Sequence, residues 1–458
     1  MNKEPKRTIS FSPPDMSELE EKEVVDTLRS GWITTGPKTK KLEHELAAFA
    51  GVRDGLKDGE AVADPNLVCL NSATASEELI FHVLGVGPGD EVIIPAYTYT
   101  SSAAAALHVG AKIVFIDCQA DSLEMDYEKV RAAINAHTKA IVPVDLGGVP
   151  CDYDKIFSIV TDPSVRKLFT PLEATAEDDG LTQLGSRIQK NLGRVAIVAD
   201  GAHALGANRF VTRSSSDPEG KSGRRELMVG AIADFTSFSF HAVKNFTTAE
   251  GGAAAWNLPF TTAAAGDRNV SDAEIYHWFQ LLSLHGQSKD ALHKTQLGAW
   301  EYDIVAPLYK CNMTDIMAGI GLAQLSRYPG LLARRREIIS RYDAACDELG
   351  VDHIVHFTDE YTSSGHLYIT RITGCDDQHR RQIIVMMAEK GVATNVHYKP
   401  LPLMTGYKRL GFEIKDYPNA YKHFENEITL PLHTKLSDDD VEYVIKCFED
   451  SVKEVRGY

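Results

Sequence analysis

The chain has 458 residues, of which 43% are hydrophobic, 24% charged and 8% aromatic. That composition builds a large core and excludes a disordered, collagen-like or coiled-coil chain. The net charge of −16, from 48 basic and 64 acidic residues, repels phosphate backbones and argues against nucleic-acid binding, although a local basic pocket would still hold a small phosphorylated molecule.

The first sixteen residues carry no apolar stretch of the signal-peptide kind, and no run is long enough to span a bilayer. The seven cysteines are scattered, odd in number and free of CxxC or zinc-type spacing. The expectation is a reduced cytoplasmic protein with no metal site and no membrane partner.

In chain order, residues 16–30 read as a helix with Leu19, Val24, Val25 and Leu28 on one stripe. Gly31 ends it, 32–37 is a loop, and 39–50 is a second helix. Residues 54–64 are a small polar loop. A short buried strand at 68–70 leads through Asn71-Ser72-Ala73-Thr74-Ala75 into a helix reaching Leu84. Then come a strand at 91–94, a helix at 101–108 and a strand at 112–117. Residues 139–145 and 195–200 are β-branched and apolar almost throughout, as central parallel strands are. Further strands are expected at 233–240 and 252–256. Two stretches interrupt this rhythm and read as surface additions: polar 162–191, and Ser/Gly/Pro-rich 213–225, a mobile loop. After Met313 the style changes. Residues 313–349 are helical with a break at Tyr328-Pro329-Gly330. Strands follow at 366–371 and 394–397, and a last helix is capped by Ser437. The fold class is α/β: a large domain (1–312) with a mainly parallel central sheet, plus a smaller α+β domain (313–458).

Four constellations fall at strand ends, where open α/β sheets bind ligands. Ser239 to Asn245 runs from an aromatic and hydroxyl strand into a turn bearing Lys244. A lysine among apolar walls has a lowered proton affinity and forms a Schiff base with a carbonyl, although most strand-end lysines simply face solvent. Asp200 closes the strand at 195–200. It would hold a protonated pyridine nitrogen, or merely cap the next helix. His203 would lie against a planar ring, bond a phenolic oxygen, or be structural. Ala73 and Thr74 open a helix whose backbone N–H groups suit an anion, or belong to a plain serine cap. Tyr99 and Tyr97 follow another strand, as a stacking ring or as core. Together these features fit pyridoxal 5′-phosphate (PLP).

With these residues in place, the sequence resembles the PLP-dependent sugar-nucleotide aminotransferases of the DegT/StrS type, which have the aspartate aminotransferase fold (type I). SFHAVKNFTTAEGG is similar to that family's lysine motif and DGAHALGA to its aspartate motif. The stretch from Gly89 to Asp117 resembles its stacking segment, and WITTGPKTKKLEHELAAFAGV, with Thr35, its N-terminal signature. The resemblance implies that Lys244 carries the cofactor and shuttles the proton. Asp200 would pair with the pyridine nitrogen and Tyr99, ahead of Tyr97, would stack on the ring. His203 would also contact the cofactor. Ala73, Thr74 and Ser239 would hold the phosphate. Asn312 would reach the phosphate of a neighbouring subunit, implying a homodimer with shared active sites. His397 and Tyr398 would sit on the substrate side.

There are departures. Gly201 stands where many members carry Ala or Cys. Val144-Asp145-Leu146-Gly147-Gly148 lacks the histidine often found there, and the 162–191 addition is unusual. A lysine rather than a histidine at 244 implies transamination rather than dehydration. The expected reaction moves nitrogen from an amino acid, L-glutamate, to a nucleotide-linked keto-sugar. C4 of a UDP-N-acetyl-4-keto-6-deoxyhexose is preferred, for capsule, O-antigen or glycan synthesis. C3 of a dTDP sugar is the alternative. A Rossmann oxidoreductase would need a GxGxxG after the first strand. A PLP desulfurase would need an exposed nucleophilic cysteine, and a non-catalytic regulator would not need both Lys244 and Asp200.

Overall fold

The computed structural model describes residues 7–213, 223–261, 270–288 and 302–457. Its main sheet has seven strands, in the spatial order Leu67–Leu70, Gly252–Trp256, Phe235–Ser239, Ala196–Asp200, Thr138–Ile141, Glu91–Pro95 and Lys112–Ile116. The last five run parallel, and Gly252–Trp256 is antiparallel to both of its neighbours.

Both sheet faces are covered, so alternate strand residues enter different cores. Ala196 and Val198 pack under the helices Ala73–Leu84 and Gly180–Leu192. Ile197 and Ala199 pack with Tyr153 and Ile156 of the helix Tyr153–Thr161 on the opposite side. Burial on two faces is why these strands are apolar at every position. All strand ends that carry candidate residues therefore meet at one edge of a rigid layer.

A helix of 35 residues, Asp315–Leu349, leaves this layer. Its start packs against Leu42 and Leu46 through Ala318 and Tyr328. Its second half, through Ile338, Ile339 and Tyr342, joins a separate core around the antiparallel strands Asp352–His353, Tyr368–Arg371 and Glu427–Leu430 and the helices Asp377–Glu389 and Asp438–Arg456. The cores do not part cleanly at residue 312: Ala318 and Tyr328 pack with the first part of the chain, Leu367 and Ile369 join the core of the main sheet, and Ile9 joins the second core. The break expected at Tyr328 to Gly330 is absent. An internal proline costs a helix about 3 kcal/mol. Tertiary contacts on both sides offset that cost: Tyr328 is buried and its hydroxyl donates to the Leu205 carbonyl at 2.8 Å, while Arg335 donates to the carbonyls of Gly365 and Leu432.

Other expectations change too. The strand at 394–397 reduces to one bridge, Asn395 with Thr429. The Val396 amide donates to the Asn395 side chain at 2.8 Å and the His397 amide to the Glu427 carboxylate at 2.9 Å, neither to a strand backbone. The 162–191 stretch is only partly a surface addition. Its second half is the helix Gly180–Leu192, whose Leu184, Ile188 and Leu192 repeat every four residues and are buried. Polarity of the other faces hides that stripe from a compositional reading. The 54–64 loop holds a small hairpin, Leu56–Lys57 with Glu60–Ala61. Of the 213–225 loop, 214–222 lie outside the described residues, and its flanks pair as the hairpin Asn208–Arg213 with Gly223–Met228. The first helix, Glu18–Ser30, buries Glu20 and Thr27 against the long helix and leaves Leu19 and Leu28 more than half exposed. Glu20 is held there by Ser17 and by Gln324 Nε2 at 2.7 Å.

Candidate active site

The carboxyl ends of the parallel strands open onto a cavity of about 350 Å³. Lys244 reaches it from the turn after Phe235–Ser239, a turn closed by the Lys244 amide donating to the His241 carbonyl at 2.9 Å. The side chain keeps some exposure to the cavity while its amine lies deep in the protein. Burial pulls that amine down to about 8, against the opposing pull of Asp200. A substantial share of the amine is therefore neutral and nucleophilic near neutral pH.

Asp200 ends the strand Ala196–Asp200 and is 4% exposed. Ser102 Oγ donates to its Oδ2 at 2.7 Å and the Ala202 amide to its Oδ1 at 3.1 Å. These two donors fix the orientation of a carboxylate that lines the cavity. His203 is 8% exposed. Its Nδ1 accepts the Gly147 amide at 3.2 Å, which leaves the proton on Nε2, facing the Tyr398 hydroxyl at 3.2 Å. Burial, then the charge of Lys244, hold its proton affinity well below the usual histidine range, so the ring is neutral.

The phosphate candidates gather at the opposite wall. Ser72 caps the helix Ala73–Leu84, its Oγ accepting the Ala75 amide at 3.1 Å, and Ala73, Thr74 and Ser239 line the cavity beside it. Gly252 permits this close approach. A Cβ there would lie 2.3 Å from the carbonyl carbon of Ser72 and 2.4 Å from the Ala73 nitrogen. The arrangement is an anion cradle built from backbone.

Tyr99 lines the cavity with its ring 58% exposed, 5.9 Å from the Tyr398 ring. Tyr97 is instead a core residue, 1% exposed, whose hydroxyl donates to the His397 carbonyl at 2.9 Å. His397 and Tyr398, just past the bridge at Asn395, complete the cavity lining, and Tyr398 packs against the main-sheet core. Thr35 and Asn312 do not line it. The Asn312 amide donates to the Thr35 hydroxyl, which donates to the Met313 carbonyl, and Asn312 bridges the edge strand at Leu70. Asp145, at the position lacking a histidine, turns away from the cavity. It accepts from the Cys151 amide and the Tyr153 hydroxyl, and burial pushes its carboxyl up to about 7. All seven cysteines are buried, so none has the exposure a desulfurase nucleophile needs.

Ser102 and Glu77 belong to this site and were not singled out in the sequence. Ser102 stands one helical turn after Tyr99. Glu77 is an acid on the buried, mostly apolar face of its helix, and that misplaced charge was the available signal. A buried amine, a buried carboxylate, a flat aromatic wall and a backbone anion cradle match the aldehyde, ring nitrogen, ring face and phosphate of PLP. The residues present fit that group.

Comparison with known proteins agrees. The model of the DegT/DnrJ/EryC1/StrS aminotransferase family matches residues 14–166 and 186–449. The interval it skips falls inside the expected addition. The spore coat polysaccharide biosynthesis protein SpsC of Bacillus subtilis is 33% identical over 454 residues, covering 97% of each chain. The UDP-4-amino-4-deoxy-L-arabinose–oxoglutarate aminotransferase of Shewanella sediminis is 31% identical, covering 96% of this chain and 97% of that one. Among solved structures, the putative sugar aminotransferase Spr1654 from Streptococcus pneumoniae in its PMP-form is 52% identical with a TM-score of 0.84, covering 98% of this chain and all of that one. Its PLP-form superposes with a TM-score of 0.82. The chain therefore belongs to the DegT/DnrJ/EryC1/StrS aminotransferase family, PLP-dependent sugar aminotransferases of fold type I.

Proposed function

We propose that this enzyme transfers the amino group of L-glutamate to C4 of a UDP-linked N-acetyl-4-keto-6-deoxyhexose, for capsule, O-antigen or glycan synthesis. The observation that carries the reading is the pairing of the buried Lys244 amine with the buried Asp200 carboxylate in one cavity roofed by His397 and Tyr398. The Shewanella relative, named for a UDP-linked 4-amino sugar and oxoglutarate, supports the nucleotide, the carbon and the donor.

Bound PLP supplies an electron sink for a carbon that loses its proton. Asp200 keeps a proton on the ring nitrogen. Ala73, Thr74 and Ser239 grip the phosphate, Tyr99 covers the ring and His203 approaches it as a neutral donor. Lys244, with its proton affinity near neutrality, takes the proton from the donor carbon and returns one to the sugar carbon. His397 and Tyr398 limit water over the reacting atoms.

We further propose a homodimer in which Thr35 and Asn312 serve the neighbouring site. Their position off the cavity supports this, as do Met16, Leu19, Leu28 and Ile33, apolar yet 42–54% exposed on a single chain. A reducing, cytoplasmic setting is supported by seven unpaired cysteines. Among the described residues, no helix is long and apolar enough to cross a membrane.

The decisive experiment offers glutamate and a panel of keto-sugar nucleotides, then locates the new amine by NMR. Amination at C4 of the UDP sugar is expected. Amination only at C3 of a dTDP sugar would replace this reading with the alternative. A second expectation concerns pH. Capture of PLP by the apoenzyme, read as borohydride-stable label on Lys244, should rise about tenfold per pH unit and level off above about pH 8. A capture rate flat between about pH 6 and pH 9 would contradict a titrating Lys244 amine.

A further inference from the structure

One buried acid next to this site has no task in that scheme. Glu77 lies on the helix Ala73–Leu84 and is wholly buried, at 0% exposure. Its Oε1 accepts the Ser237 hydroxyl at 3.0 Å, and Ser237 is the cross-strand register partner of Asp200. Its Oε2 meets no donor. The Asp200 carboxylate acts on the Glu77 carboxyl as its charged neighbour.

Two carboxylates in contact inside a protein do not both ionise, so the pair shares one proton. The surroundings decide which member keeps it. Asp200 accepts from Ser102 and from the Ala202 amide and lies near the Lys244 amine. Glu77 has one neutral hydroxyl and no cation. Burial first, then the charge of Asp200, push the Glu77 carboxyl well above the usual range. Protonation also resolves the orphaned oxygen, which changes from an acceptor without a donor into a donor facing an acceptor.

We infer that Glu77 is a positioning residue: as a neutral carboxylic acid it donates a hydrogen bond to Asp200 and so keeps Asp200 ionised against the ring nitrogen of the bound cofactor. The inference rests on the assignment of Asp200 to that nitrogen. Without the donor, Asp200 becomes more basic and draws the ring proton to itself, which weakens the electron sink.

The test uses the full chain in apo and PLP-loaded forms. In the apoenzyme, the infrared difference between wild type and Glu77→Gln should show a protonated-carboxyl band that the variant lacks. In the holoenzyme made with ¹⁵N-labelled PLP, Glu77→Leu should move the ring-nitrogen signal towards unprotonated pyridine. It should also lower kcat about tenfold, with KM for glutamate changed less than about twofold. Glu77→Gln should restore both, because its amide N–H donates to Asp200 while its carbonyl accepts from Ser237. The inference is overturned if the wild-type band does not depend on Glu77, if Glu77→Leu keeps the wild-type nitrogen signal, or if Glu77→Gln fares as badly as Glu77→Leu. Should Glu77→Leu fail to fold, the infrared difference and the Glu77→Gln nitrogen signal decide alone. A ring nitrogen unprotonated already in the wild type would refute the Asp200 assignment instead, and the two failures are distinct.

Discussion

Lys244→Ala is expected to lower transamination by at least about 10²–10⁴-fold, the usual contribution of a positioned proton carrier. The loss should fall on kcat, because the substrate walls built by Tyr99, His397 and Tyr398 stay in place. Folding should change little. Among the described residues the lysine side chain makes no hydrogen bond or ion pair, and only its backbone amide closes the turn to His241. Removing an amine that burial holds at about 8 leaves no other lysine among the described residues lining the cavity, and the buried His203 and His397 are both held below the usual histidine range. A small soluble amine should therefore return part of the lost rate to the variant, measured by steady-state kinetics beside a melting curve. Activity within about tenfold of wild type would remove Lys244 from the proton-transfer role.

Asp200→Asn should cut kcat by about 10²–10³-fold, comparable to removing a preorganised electrostatic partner from an active site. The asparagine keeps the shape; its carbonyl oxygen can still accept the Ala202 amide, and its NH2 can donate to the Ser102 hydroxyl, which then acts as acceptor, so the fold should hold. What it loses is the negative charge that binds a ring proton. Cofactor affinity should fall with the rate, readable by titrating PLP into the apo variant. Asp200→Ala should be worse in stability, because two donors then lose their acceptor. Unchanged PLP affinity and rate in Asp200→Asn would leave the carboxylate without its proposed function. The same variant should also bring the Glu77 carboxyl back towards its ordinary range, because the neighbouring charge is gone.

The legible part of the site shares one property. Lys244, Asp200, Ala73, Thr74, Tyr99 and Ser239 all follow directly on strands, where a periodic apolar run ends in a polar residue. Local pattern suffices to find such positions. Choosing Tyr99 over Tyr97 is a different matter. Both follow the same strand, and only packing sends Tyr97 under His397 and Tyr99 to the cavity. Ser102 and Glu77 reach Asp200 across the sheet, through separations of 98 residues for the hydroxyl and a helix laid over two strands for the acid. No local spacing encodes a contact of that kind.

Secondary structure divides the same way. The strand expected at 394–397 has the right residue types, yet Glu427 takes the His397 amide that a strand would need. Pro329 is a helix breaker by local preference, yet Tyr328 and Arg335 are anchored to the two cores on either side of it. The exposed stripe of the first helix is a further inversion, since Gln324 draws Glu20 inward and Leu19 outward.

Alternating strands and helices, their buried periodicity and the chemistry at strand ends were written in the order of residues alone, because each depends on neighbours a few positions away. Which tyrosine lines the cavity, which buried acids come together and which helix crosses a proline were decided only when distant segments packed, because burial and hydrogen bonding between them outweigh the small local preferences of any single residue.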